Sequence, residues 1–178
     1  MSIFDALRDS HTIQRALCRR LVRTRTAAMR QQLFLQLKVE LEAHAAAEER
    51  YLYAPMLLTD GGLSASRHAL SEHHDIEELC EDLSVRDKSG DDWAQTMAAL
   101  SHKVHHHLRE EESKFFKVGG RLLSDAQKSK LTGQYQRDLL RMRRKLAADY
   151  QSVDVGADGK VKPVGRAATA KVAASVPA

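Results

Sequence analysis

The sequence has few residues that break or staple a chain. Three prolines and nine glycines in 178 residues leave long intervals in which nothing stops a helix. Its two cysteines, Cys18 and Cys80, are too few for a disulfide framework and fall in apolar helical stripes, so both are expected as free core thiols in a reducing compartment. No run approaches the roughly 20 apolar residues of a membrane-spanning helix. The opening Met1-Ser2-Ile3-Phe4-Asp5-Ala6 lacks the basic start and apolar centre of a secretory signal. A cytoplasmic protein with no membrane contact is therefore expected. Phosphate-binding glycine loops, dinucleotide fingerprints and zinc-finger cysteine patterns are also missing.

A dominant charge is lacking too. The 28 basic and 24 acidic side chains, with a formal net charge of +4, are mostly interleaved, as on a solvated helical surface. The exception lies at 137–145, where Arg141, Arg143, Arg144 and Lys145 form a basic patch. It has neither aromatic interleaving nor a recognisable reading motif, so a nucleic-acid partner is not expected.

What is present is a helix-forming composition of Leu, Ala, Glu, Arg, Lys and Gln over the first 150 residues, in a chain long enough for one domain. Four amphipathic helices are expected, at about 3–23, 27–53, 64–85 and 93–116, by their three- and four-residue apolar steps. The first carries Phe4, Leu7, His11, Gln14, Cys18 and Leu21 inward. The second carries Leu37, Leu41, His44, Glu48 and then Tyr51 or Leu52. The third carries Ala69, His73, Ile76 and Cys80, which favours His73 over His74; the fourth carries Leu100, Val104, His107, Glu111 and Phe115.

Turns are expected around Pro55 and Gly61-Gly62 and at 86–92, with Asp91 or Asp92 capping the fourth helix and Gly119-Gly120 ending it. An added helix at about 122–150 starts from Ser124 with Gln127 three residues on. It carries Leu131, Tyr135, Leu139, Met142 and Leu146, with Gly133 a point where it can break. Residues 151–178, rich in Ala, Val, Gly and Lys, read as a flexible tail. The fold class is all-α: an antiparallel up-and-down four-helix bundle over 1–118, a helical extension over 119–150 and the tail beyond.

Histidine and glutamate interrupt the apolar stripes. In 101–112 the histidines at 102, 105, 106 and 107 offer several pairs at helical spacing, but Leu100, Val104 and Phe115 pull His107 and Glu111 inward together. His44 and Glu48 repeat that i,i+4 pair upstream. Depth along antiparallel helices tests whether they meet. Counted from each connecting turn at about 1.5 Å rise per residue, His11, His44, His73 and His107 agree in level to within roughly one helical turn. Such a layer collects four imidazoles and two carboxylates. An unpaired buried carboxylate is costly, whereas a cation removes the difficulty. Nitrogen and oxygen donors without thiolate suit iron, manganese or zinc. Six ligands exceed the needs of one structural zinc and suit two ions bridged by the carboxylates. A metal-free polar network would require these groups to satisfy one another alone.

These residues resemble the hemerythrin-like, or HHE cation-binding, family. The family has a histidine in helix one, His-x-x-x-Glu in helix two, a histidine followed by an aliphatic residue in helix three, and His-x-x-x-Glu-Glu before an aromatic in helix four. His11, His44 with Glu48, His73 before Ile76, and His107 with Glu111-Glu112 before Phe115-Phe116 match it, over roughly 2–118. The resemblance implies a four-helix bundle with a non-heme diiron centre, oxo- or hydroxo-bridged when oxidised. Its metal ligands would be His11, His44, Glu48, His73, His107 and Glu111. Oxygen-carrying members have five histidines and this chain supplies four, with Glu77, His102 or water the nearest substitutes. The implied function is binding or sensing of dioxygen, nitric oxide or peroxide in oxidative or nitrosative stress. Alternatives are an iron-binding regulatory interaction module without redox turnover and a diiron enzyme acting on peroxide or nitric oxide. The added helix is a candidate surface for a homodimer or a protein partner.

Overall fold

The computed structural model describes residues 2–151; residues 152–178, nearly all of the expected tail, lie outside the described residues. Among the described residues seven α-helical segments occur in the order α1 (Ile3–Arg23), α2 (Ala27–Glu48), α3 (Ala54–Leu57), α4 (Asp60–Val85), α5 (Asp91–Glu110), α6 (Phe116–Leu122) and α7 (Asp125–Gln151). α2 passes into α3, and α5 into α6, through single π-helical turns at Glu49–Tyr53 and Glu111–Phe115. The result is the expected all-α bundle of four long antiparallel rods with a fifth helix added, and no strand occurs among the described residues. No described helix is long and apolar enough to cross a membrane.

Local chemistry sets most of the ends. Ser2 and Asp5 form a reciprocal capping box at α1. Ser124 and Gln127 do the same ahead of α7, through contacts of 2.8 and 3.3 Å. The glycine expectations need correction. α4 begins at Asp60, so Gly61 and Gly62 lie in its first turn, with Thr59 as its cap. A Cβ at Gly62 would stand 2.3 Å from the Met56 carbonyl oxygen, so the tight turn out of α3 admits only glycine there. Gly119 and Gly120 do not end the fourth rod, which continues to Leu122. A Cβ at Gly119 would lie 3.3 Å from both Met56 and Phe4, so this glycine serves close packing. α7 runs unbroken past Gly133, and α5 is capped by Gly90 with Asp91 and Asp92 in its first turn.

The core has two apolar halves. One gathers Leu17, Leu33, Phe34, Leu37, Leu83, Trp93 and Leu100; the other gathers Ile3, Leu7, Leu52, Tyr53, Met56, Phe116 and Tyr135. Each such side chain contributes about 1.5–3 kcal/mol on burial. Along every rod the histidine sits between residues of the two halves, so the polar layer is clamped from both ends.

α7 lies on α1 and α2 of its own bundle. Its apolar stripe therefore covers this chain, and its polar residues tie it down. Arg143 donates to the buried Glu40 at 2.7 Å, Arg50 to Asp138 at 2.6 Å, and the Tyr150 hydroxyl to Glu42 at 2.6 Å. Two members of the basic patch are thereby committed within the fold: Arg143 to Glu40, and Arg141 to Asp138 at 2.6 Å.

Candidate metal centre

All six residues singled out from the sequence stand at one level and are buried: His11, His44, Glu48, His73, His107 and Glu111. They form two overlapping groups. His11 and His44 share Glu48 and Glu111, and so do His73 and His107, with the donor atoms of each group within 4.8 Å of one another. Within each group the two imidazole rings pack with centroids 4.9 Å apart.

The two glutamates join the groups. Glu48 Oε2 lies 3.3 Å from His44 Nε2 and 3.5 Å from His73 Nε2. Glu111 reaches His11 Nε2 at 3.3 Å with one oxygen and His107 Nε2 at 3.5 Å with the other. Each carboxylate thus touches one imidazole of each group, the disposition required of a ligand shared by two ions. These contacts do not satisfy the atoms as hydrogen bonds. The four Nε2 atoms, both oxygens of Glu48 and Oε2 of Glu111 are buried without a hydrogen-bond partner; among the described residues only Ser66 Oγ joins them. Buried polar atoms are normally paired, and seven orphans aimed at one small space fit cations bound between them.

The outer nitrogens are all engaged. His11 Nδ1 meets Glu112 at 2.8 Å, His73 Nδ1 meets Glu49 at 2.8 Å and His107 Nδ1 meets Glu72 at 3.0 Å. A carboxylate can only accept, so Nδ1 carries a proton in these three and Nε2 is the nitrogen left to face a cation, which would displace any proton there. The fourth differs: His44 Nδ1 meets the Tyr135 hydroxyl at 2.9 Å. Of the three glutamates flanking the His73 face, Glu72 alone takes part, on His107. Glu77 and Glu78 have side chains 62% and 65% exposed.

Acidity follows from these neighbours. Burial disfavours the His11 imidazolium, but Glu111 and Glu112 outweigh it and push its pKa up to about 9. Burial likewise opposes charge on His73, and Glu48 and Glu49 raise it to about 10. Glu72, despite burial, is held down to about 2 by His107, while Glu112 is held at about 2 first by His11. Glu48 is driven well below the usual carboxylate range by His44 and His73 against the cost of burial. Five carboxylates thus surround four imidazoles, a field that favours multivalent cations.

The substitutes expected for a fifth histidine are elsewhere. His102 is exposed and Glu77 points to solvent, so neither joins the cluster. Tyr53 is there instead. Its hydroxyl donates a short hydrogen bond to Glu111 Oε1, and burial together with Glu111 keeps the phenol protonated. The apolar register pointed to Tyr51 or Leu52. The π-helical turn beginning at Glu49 inserts an extra residue, so Leu52 and Tyr53 face inward and Tyr51 is only partly buried. The equivalent turn after Glu110 brings Phe116 in beside Phe115, its ring stacked on His11 at 5.7 Å. Nothing in the apolar period announces a π turn. Tyr135 also escaped attention as a site residue, because on α7 it reads as one more apolar position.

A model of the Hemerythrin HHE cation binding domain matches residues 2–118. Among solved structures, the chain is similar to that of a hemerythrin HHE cation binding domain-containing protein from Mycobacterium kansasii. The identity is 17% over 85% of this chain and 93% of that one, with a TM-score of 0.77. At that identity the likeness shows the fold. No curated protein sequence matches.

Proposed function

Because the chain belongs to the hemerythrin HHE cation binding domain family, we propose that it holds two iron ions and binds or senses dioxygen or a related small oxidant in stress protection. The observation that carries this reading is the set of orphaned inward atoms on His11, His44, Glu48, His73, His107 and Glu111. Iron held there supplies a redox-active centre able to take nitric oxide or peroxide as well as dioxygen.

The chain's own residues have separable tasks. His11 and His44 would hold one ion and His73 and His107 the other, with Glu48 and Glu111 common to both groups. Glu112, Glu49 and Glu72 fix the tautomer of three histidines. Tyr53 holds a proton on its hydroxyl at the edge of the cluster, directed at Glu111, and so locks the orientation of a shared carboxylate. Phe115 and Phe116 close the layer against water from one end. The two buried free thiols fit a reducing cytoplasm.

The test is metal analysis of anaerobically purified protein together with its absorption spectrum before and after dioxygen. Two irons per chain and a spectral change with oxidant are expected. Tight iron binding with no response to any of the three oxidants would instead mark an iron-binding interaction module. Sustained consumption of peroxide or nitric oxide would mark an enzyme.

A further inference from the structure

The seam between α2 and α4 is the loosest of the four around the bundle, and a cavity of about 460 Å³ opens within it. Its floor is formed by His44, His73 and His107, so it runs to the candidate metal centre from outside. A water molecule takes about 30 Å³ of liquid volume, and a diatomic gas is of the same order. The cavity is therefore far larger than dioxygen or nitric oxide needs, and falls within the roughly 300–1,000 Å³ of pockets that hold organic ligands.

The lining narrows the class. Leu41, Ile76, Met142 and Leu146 form apolar walls, the last two contributed by α7. Glu42, Glu49 and Glu77 are its acids, and among the described residues no lysine or arginine lines it. Lys38, just outside, is turned to Ser84 at 3.1 Å and Glu42 at 3.8 Å. His74, the base at the rim, is turned outward to Glu78 at 3.3 Å. Along the walls and rim an anionic ligand would meet acids and hydrocarbon, with positive charge confined to the histidine floor, so its body would be desolvated at a high cost. An uncharged molecule with an apolar body meets no such penalty.

We propose that this cavity binds an uncharged organic oxidant with a compact apolar body, the class of the organic hydroperoxides, its oxygen-bearing head toward His73 and His107. The inference rests on the reading of the centre as one that meets oxidants, and adds that the oxidant carries a hydrocarbon body. A ferrous centre held by these residues would supply two electrons which, with two protons from solvent, would reduce the hydroperoxide to the alcohol and water.

Calorimetry on the oxidised, iron-loaded protein separates binding from reaction. Cumyl alcohol, the unreactive analogue of cumene hydroperoxide, should bind saturably at one molecule per chain, and hexanoate at least tenfold more weakly. Ala45 lines the cavity and is only partly buried. Ala45→Phe should weaken cumyl alcohol at least tenfold with iron content unchanged; Ala46→Leu provides the same test should the first variant fold poorly. Cumene hydroperoxide should oxidise the ferrous protein at lower concentration than hydrogen peroxide, and the filled variant should lose that preference. Absence of saturable binding, equal binding of hexanoate, or undiminished binding in both variants would overturn the proposal. A wild type that binds cumyl alcohol yet shows no iron or no oxidant response would overturn the function proposed above, not the cavity's apolar selectivity.

Discussion

The Tyr135 hydroxyl lies 2.9 Å from His44 Nδ1. It occupies the place that Glu112, Glu49 and Glu72 take at the other three histidines. A neutral phenol increases the basicity of an imidazole less than a carboxylate does, so the group holding His11 and His44 is expected to hold its cation less tightly. Burial and the nearby charge of Glu48 keep that phenol neutral.

Tyr135→Phe therefore distinguishes the two positions. Loss of a partner behind a metal-bound histidine lowers affinity by about 10–100-fold. Chelator competition should show one of two metal equivalents weakened by at least about tenfold and the other unmoved. Glu72→Gln should weaken the opposite equivalent. Loss of both equivalents together in Tyr135→Phe would mean that α7 acts on the fold as a whole.

The shared carboxylates predict a different pattern from the histidines. His107→Ala should cost one metal equivalent, and Glu48→Ala or Glu111→Ala both, because each glutamate faces both groups. In the wild type, metal at about a thousand times its dissociation constant adds about 4 kcal/mol, which raises the melting temperature by roughly 10 °C. Metal analysis paired with melting curves checks both statements. Unchanged occupancy and unchanged melting in His107→Ala and Glu111→Ala would remove the site.

Asp138 anchors α7 to the turn after α2, at 2.6 Å from both Arg50 and Arg141. Burial opposes its charge, but the two arginines outweigh this and lower its pKa. A lowered folded pKa contributes stability above the unfolded value that is lost as pH falls through the folded one. Both arginines are about half exposed, so Asp138→Asn should cost only about 1 kcal/mol at neutral pH. The gap in melting temperature between wild type and variant should close as pH is taken below about 4. A gap independent of pH would deny the ion pairs their role.

Cys18 and Cys80 have thiols that burial pushes up to about 12. At about pH 7 neither offers appreciable thiolate, so iodoacetamide should leave both unmodified in the folded protein and label both after unfolding in guanidinium. Rapid labelling of the native protein would show that the core half gathering Leu17, Leu83 and Trp93 opens in solution.

The sequence by itself determined the four rods, their antiparallel order and the six inward histidines and glutamates. Those depend on local period: an imidazole or carboxylate at a core position of a 3.6-residue repeat faces the core whatever the neighbours are, and depth can be counted from the turns. Glycine was misread at Gly62 and Gly119 because its conformational freedom and its small size serve different ends, and only packing against Met56 and Phe4 shows which one is in use. Tertiary structure alone decided that π turns bring Tyr53 and Phe116 inward, that Tyr135 backs His44, that Glu72 serves His107, and that α2 and α4 leave a cavity between them. The π turns are local insertions that leave no mark on the apolar period; the others are relations between segments far apart in the chain, set by how whole helices rotate and stand against one another, and no residue spacing within one helix carries that information.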